Sequence, residues 1–224
     1  MIAAASLHEI AERVGWAAAV ASIGTGRTAL IILDLARLTE SDVVLVTAAA
    51  GGIGNLLIQA AVRHPGATVV GLGGGAEEVV RVRELGADVA VDYTEPGWPD
   101  RVRVALGGRE ASLVLDGVGG EVLERAAQLL GRGGRIVSFG WASGQPSALN
   151  EAELAERGIE QSWMVGPKAA PRGDLRALET RSLAATSNGD WVPLVNPPYK
   201  LAEAAAAHIA LERRETVGKV ALTP

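Results

Sequence analysis

Between a run of β-branched and apolar residues, Val43-Val44-Leu45-Val46, and an apolar helical pattern that begins at Leu56, the chain places Gly51, Gly52 and Gly54. Glycines at this spacing present no Cβ atoms that would keep a phosphate off the backbone. The N–H groups that open the following helix meet an anion with a favourable dipole. The chemistry such a loop performs is the holding of a pyrophosphate, although glycine clusters also close ordinary tight turns. No acid–base relay accompanies it. His64, Asp116 and Tyr199 lack partners at a spacing that suggests proton transfer, and no catalytic residue is assigned. The three histidines, His8, His64 and His208, are scattered and there is no cysteine, so neither a zinc centre nor a disulfide framework is expected.

A phosphate loop works only at the carboxyl end of a strand, and the neighbouring pattern supplies strands. Short apolar runs over 43–46, 68–72, 89–91, 112–115, 135–139 and 159–165 alternate with helical patterns over 56–63, 77–85, 101–106 and 122–130. This rhythm predicts an α/β fold, a doubly wound parallel sheet of the dinucleotide-binding (Rossmann-like) kind, with helices on both faces and right-handed crossovers. Ligands on such sheets sit beyond the strands' carboxyl ends, here 48–54, 71–75, 92–93, 116–120 and 139–144; four of these five segments contain glycine. The alanine-rich stretch over 202–207 carries Glu203 and is followed by His208 at helical spacing, which predicts helix rather than linker.

At 224 residues, 48% hydrophobic and 21% charged, the chain is long enough for one large domain with additions. A net charge of -5 and 4% aromatic residues argue against a nucleic-acid partner. The amino terminus lacks the basic start and sustained apolar stretch of a secretory signal. No uninterrupted apolar run reaches membrane-spanning length, so no membrane partner and a cytoplasmic location are expected.

Five motifs in order carry a family resemblance. They are Ala48-Ala49-Ala50-Gly51-Gly52-Ile53-Gly54 with Gln59; Leu85-Gly86-Ala87-Asp88 before Asp92-Tyr93; Asp116-Gly117-Val118-Gly119-Gly120; Gly131-Arg132-Gly133-Gly134-Arg135-Ile136-Val137 leading to Gly140; and Thr216-Val217-Gly218-Lys219-Val220. Together they resemble the zinc-independent, quinone oxidoreductase-like branch of the medium-chain dehydrogenase/reductase family, from about Gly26 onward. The resemblance implies a dinucleotide-binding domain over 25–190. It implies that 1–24 is the remnant of an inter-domain connection, and that 191–224 is a segment which in relatives returns to a GroES-like catalytic domain of roughly 100 residues.

Carried over residue by residue, the resemblance places Thr28 near the nicotinamide–phosphate end and Gly51, Gly52, Ile53 and Gly54 under the pyrophosphate. Gly71 and Tyr93 border the adenosine, and Gly117 and Val118 pass beneath the ribose. Phe139, Gly140 and Trp141, with Met164 and Val165, flank the nicotinamide. The implied activity is hydride transfer from NAD(P)H to a quinone or α,β-unsaturated carbonyl. The choice of dinucleotide is where this sequence departs from the pattern. The second strand ends in Gly71-Leu72-Gly73-Gly74-Gly75, without the carboxylate that usually holds the ribose of NAD, while the places that bind the 2′-phosphate of NADP look like Gly74 and Glu78. Backbone N–H groups of the glycine run, with Arg81 or Arg83, remain as an anion nest, opposed by Glu77 and Glu78. NADP is expected ahead of NAD, and no metal.

The resemblance also implies a homodimer built through the edge strand over 159–165. A short-chain dehydrogenase is the nearest other enzyme class, but it needs a Tyr and a Lys four apart, and Tyr93 is followed at that distance by Gly97 and Tyr199 by Glu203. A non-catalytic nucleotide-binding or dimerisation module is the alternative from outside enzymology.

Overall fold

The computed structural model describes residues 7–166, 168–171, 173–213 and 215–224. Six strands, β1 (Val43–Val46), β2 (Thr68–Gly73), β3 (Val89–Asp92), β4 (Ala111–Asp116), β5 (Leu130–Ser138) and β6 (Glu160–Trp163), form one sheet in the order β3-β2-β1-β4-β5-β6, every pair parallel. The chain starts in the middle, winds to one edge, crosses back and winds to the other. The connections from β1 and β4 therefore leave in opposite directions and open a crevice at their carboxyl ends, where sheets of this kind take their ligands.

Burial on both faces explains why the strands read as continuous apolar runs. Val44 and Val46 of β1 pack into one core layer with Val69, Leu113, Leu115 and Val137, while Val43 and Leu45 pack into the other with Val70, Leu72, Val114 and Ile136. The first layer is covered by α2 (Arg27–Ala36), α3 (Gly52–Val62) and α8 (Leu175–Asn188), with Val82 of α4 (Ala76–Glu84) reaching into it. The second lies under α5 (Trp98–Ala105), α6 (Gly120–Ala127) and α7 (Glu151–Glu156), with Trp98, Leu123 and Leu154 as their buried contributions. Strand β5 begins five residues earlier than its apolar run. Leu130 already pairs with Ala111, and the glycines between it and Arg135 absorb a register shift before Leu113 meets Arg135.

The expected boundary at 24/25 falls inside a helical run. α1 (Trp16–Ala21), a π-helical turn at Ser22–Gly26 and α2 follow one another without a break, and the run packs on α8 through small residues. A Cβ on Gly26 would lie 2.0 Å from Ser182 Oγ. Ser182 Oγ donates to the carbonyl of Ser22 at 2.7 Å, which gives a buried polar group of the π turn a partner. Residues 1–6 of the expected connection lie outside the described residues. By length and composition the run Trp16–Ala36 is long and apolar enough to cross a membrane, and Ala29, Ile32 and Ala36 are fully buried in the protein core.

The stretch over 191–224 folds onto the domain. Trp191 is buried in the first core layer, and the Gln59 amide of α3 clasps the backbone of Val192, accepting from its N–H at 2.8 Å and donating to its carbonyl at 3.0 Å. Beyond it β7 (Tyr199–Lys200) and β8 (Leu222–Thr223) pair in parallel, joined through α9 (Ala204–Glu212).

Candidate functional site

The turn after β1 is anchored on both neighbours. The N–H of Thr47 donates to Leu115 O on the β4 side at 3.0 Å, and the N–H of Ala49 to Leu72 O on the β2 side at 3.1 Å. Ala48 takes a left-handed conformation, φ 48°, which is uncommon for a residue with a Cβ and turns its carbonyl toward the helix that follows. The N–H of Gly51 donates to that carbonyl at 2.9 Å. A Cβ on Gly54 would lie 2.1 Å from the same oxygen, so glycine there is a condition of the turn itself. Gly52 differs. The nearest atom to a Cβ on it would be Thr25 Cγ2 at 3.6 Å, an ordinary contact, so the chain's own packing does not demand glycine at this place. Among the described residues no side chain caps α3, whose N-cap is Gly51, which leaves its first-turn N–H groups to a ligand or to water.

Beside this loop runs a groove of about 380 Å³, walled by Ala50 and Gly51, by the turn after β2 (74–78 with Arg81), and by Thr216, Val217 and Gly218 from the carboxyl-terminal stretch. The anion nest expected from the glycine run is already filled. Glu78 Oε2 accepts from the N–H of Gly74 at 2.7 Å and Asp92 Oδ1 from that of Gly75 at 3.1 Å. Asp92 also accepts from the N–H of Thr94 at 2.8 Å and from its hydroxyl at 2.6 Å. Burial pushes the Asp92 carboxyl up, but the bonds from Thr94 and Gly75 and the charge of Arg101 outweigh it and hold the group below its ordinary value. Tyr93 closes one end of this turn, with its hydroxyl 2.8 Å from where a Cβ of Gly74 would be.

At the β4 and β5 ends a buried carboxylate shapes the backbone. Asp116 Oδ1 accepts from Thr47 Oγ1 at 2.6 Å, and Oδ2 accepts from the N–H of Gly119 at 3.0 Å; Thr47 Oγ1 in turn accepts from the N–H of Gly117 at 2.9 Å. The phosphate loop and the loop after β4 are thus cross-linked by two side chains. Burial pushes the Asp116 carboxyl above its ordinary value, against the lowering effect of the bonds from Thr47, Val118 and Gly119. Its contribution to stability is therefore greatest in acid and is lost as pH rises through the folded-state value.

The sequence-derived residues divide into those that lie at or beside the groove and the loops next to it and those packed into the core. Gly51 lines the groove, with Gly52, Ile53 and Gly54 continuing from it into the first turn of α3. Gly117, Phe139, Gly140 and Trp141 come together: the Phe139 ring lies 2.5 Å from where a Cβ of Gly117 would be, and the N–H of Ala142 donates to Gly117 O at 3.0 Å. Val118 is buried beside them. Gly71 lies inside the sheet, where a Cβ would stand 2.2 Å from Val82 Cγ1; it is glycine because α4 packs there, and Gly74 and Gly75 take its expected place at the groove. Met164 is buried in the first core layer with Val165 packed against it. The Thr28 hydroxyl donates to Gly24 O at 3.1 Å, and Thr25, one helical turn earlier, is the residue that abuts the phosphate loop. The i,i+3 spacing of Thr25 and Thr28 was the available signal for that residue. Nothing in the sequence linked Thr47 to Asp116 or Thr216–Gly218 to the groove.

A family model described as zinc-binding dehydrogenase matches residues 52–180. Among curated proteins, a 2-haloacrylate reductase from a Burkholderia species is 29% identical over 205 residues, covering 89% of this chain and 61% of that protein. A quinone oxidoreductase from Salmonella typhimurium is 30% identical over 226 residues, covering 95% of this chain and 66% of its own length. Among solved structures, a mycobacterial protein complexed with NADPH matches with a TM-score of 0.81 at 30% identity, over 96% of this chain and 67% of that one. The chain therefore spans less than two thirds of these curated relatives. Among the described residues, no group of three or more His, Cys, Asp or Glu side chains is placed to hold a metal ion.

Proposed function

The chain belongs to the zinc-binding dehydrogenase family, within the medium-chain dehydrogenase/reductases and with quinone oxidoreductases among its homologues, and from that premise we propose that it is the cofactor-binding part of an NAD(P)H-dependent oxidoreductase. The reading is carried by Gly52, a glycine at an uncapped helix N-terminus that the chain's own packing does not require. When bound, the dinucleotide supplies a hydride for a quinone or an α,β-unsaturated carbonyl. The residues here hold and orient. Gly51, Gly52 and the first turn of α3 take the pyrophosphate, Thr47 and Asp116 fix the loops on either side of it, and Phe139, Gly140 and Trp141 border the nicotinamide end. Among the described residues no side chain is assigned as the proton donor that completes reduction.

NADPH, which the mycobacterial relative holds, is the dinucleotide to titrate first, with NADH beside it. Wild-type protein should bind, and Gly52→Val should weaken binding by about 100-fold or more while melting close to wild type, because the new side chain takes the pyrophosphate's place. Unchanged affinity in the valine variant would overturn the placement. Dinucleotide oxidation in the presence of a quinone decides between an active reductase and a nucleotide-binding module without turnover. The proposal extends to a homodimer formed along the outer edge of β6, whose inner side pairs with β5 over Glu160–Trp163 and whose outer side is met at Trp163 by Ala169 and Ala170.

A further inference from the structure

The turn after β2 is closed by carboxylates of the same chain. Glu78, in the first turn of α4, binds the Gly74 N–H at 2.7 Å, and Asp92, at the end of β3, binds the Gly75 N–H at 3.1 Å. Glu77 stands beside Glu78 on the groove wall, and Arg81, one helical turn on, is the cation in the groove's described lining. Resting on the dinucleotide reading above, we infer that Glu78 is a specificity-determining residue that makes this groove accept NADH in preference to NADPH. A 2′-phosphate brings nearly two negative charges and needs donors. Here the N–H groups of Gly74 and Gly75 are spent on Glu78 and Asp92, and the charge would be set against Glu77 and Glu78, with Arg81 as the compensating cation among the described lining residues. A ribose 2′-hydroxyl, by contrast, donates to a carboxylate and brings no charge. The carboxylate comes from the helix rather than from the last residue of the strand, so the end of β2 reads as if it had no ribose anchor. Discrimination here is mostly rejection: the chain has placed an anion where the wrong ligand's anion would go.

Titrations of the full 224-residue chain with NADH and NADPH, and with ADP-ribose and 2′-phospho-ADP-ribose to isolate the adenosine end, test this. NADH should bind about tenfold or more tighter than NADPH at low salt, and the gap should narrow as salt is added. Glu78→Gln keeps an acceptor for the Gly74 N–H and removes the charge; it should bring NADPH several-fold closer to NADH, chiefly by strengthening the binding of NADPH. Glu78→Lys should reverse the preference. NADPH binding as tightly as NADH in the wild type would overturn the inference, as would a preference for NADH that neither substitution moves. Failure of the underlying reading is a different result, in which neither dinucleotide binds.

Discussion

Gly52 and Gly54 stand two residues apart and are glycine for opposite reasons. A Cβ on Gly54 would meet the Ala48 carbonyl oxygen at 2.1 Å and the Ala49 Cα at 2.8 Å, all backbone, in a turn that already holds Ala48 at φ 48°. Neither contact has a flexible end that can yield. Gly54→Ala should therefore cost about 3 kcal/mol or more, read as a lower denaturant midpoint with or without cofactor. Gly52→Ala meets only a methyl group at 3.6 Å and should remain within about 1 kcal/mol of wild type, with its loss confined to dinucleotide binding. Equal destabilisation by the two substitutions would show that Gly52 also serves the turn.

At the scale of elements, the amino end of the sheet is tied by one carboxylate. Asp42, 3% exposed, precedes β1 and accepts from the Thr39 N–H at 2.7 Å, Ser112 Oγ on β4 at 2.6 Å and Arg135 Nη2 on β5 at 2.8 Å. Arg135 Nε also donates to Ala36 O, which closes the carboxyl end of α2. Burial pushes the Asp42 carboxyl up, yet the bonds from Ser112, Thr39 and Arg135 together hold it below its ordinary 3.8. A lowered folded-state value means that the stabilisation is complete above the unfolded value and fades as pH falls through the folded one. Asp42→Asn should cost about 2–3 kcal/mol in urea unfolding at pH 7, and the deficit should shrink below about pH 4. Cofactor affinity should not move, because the site lies at the opposite ends of the strands. A deficit that persists undiminished at low pH would remove the charge from the account.

For the whole molecule, the outer edge of β6 decides whether the sheet can continue into a second subunit, as the dimer proposal requires. The Met164 N–H donates to Ser138 O on β5, while Trp163 O is turned outward and accepts from the Ala170 N–H at 2.8 Å. Alternation then directs Ser162 toward β5 and Gln161 toward the edge. Gln161→Pro removes an outward donor and should give a monomer by light scattering with little change in melting. Ser162→Pro breaks the ladder with β5 and should lower the melting temperature in either oligomeric state. A wild-type chain already monomeric at high concentration would end the dimer proposal. Ala169, which bridges to Trp163, and Ala170, whose N–H donates to Trp163 O, compete with such pairing at one end of the strand.

The sequence by itself determined the strands and the turn. A strand stretch buried on both faces has to be apolar, so Val43–Val46 and the 113–115 stretch of β4 announce themselves as runs, and a backbone bent between strand and helix has to spend glycines. It determined much less about the flanking helices. Trp16–Ala36 owes its place to Gly26 and Ser22 fitting against Ser182, some 160 residues away, and α8 carries no strong apolar stripe to announce it. What only the tertiary structure decided is what each glycine and each acid faces. Gly71 and Gly52 are both glycines near the carboxyl ends of strands, but Val82 stands over the first and open space over the second. Glu78 reads as one more charge on a solvated helix until the fold brings its carboxylate onto the Gly74 N–H. Periodicity and turn chemistry are properties of neighbouring residues and survive in a linear reading; a steric or electrostatic role depends on atoms that distant segments deliver, and only the packed chain delivers them.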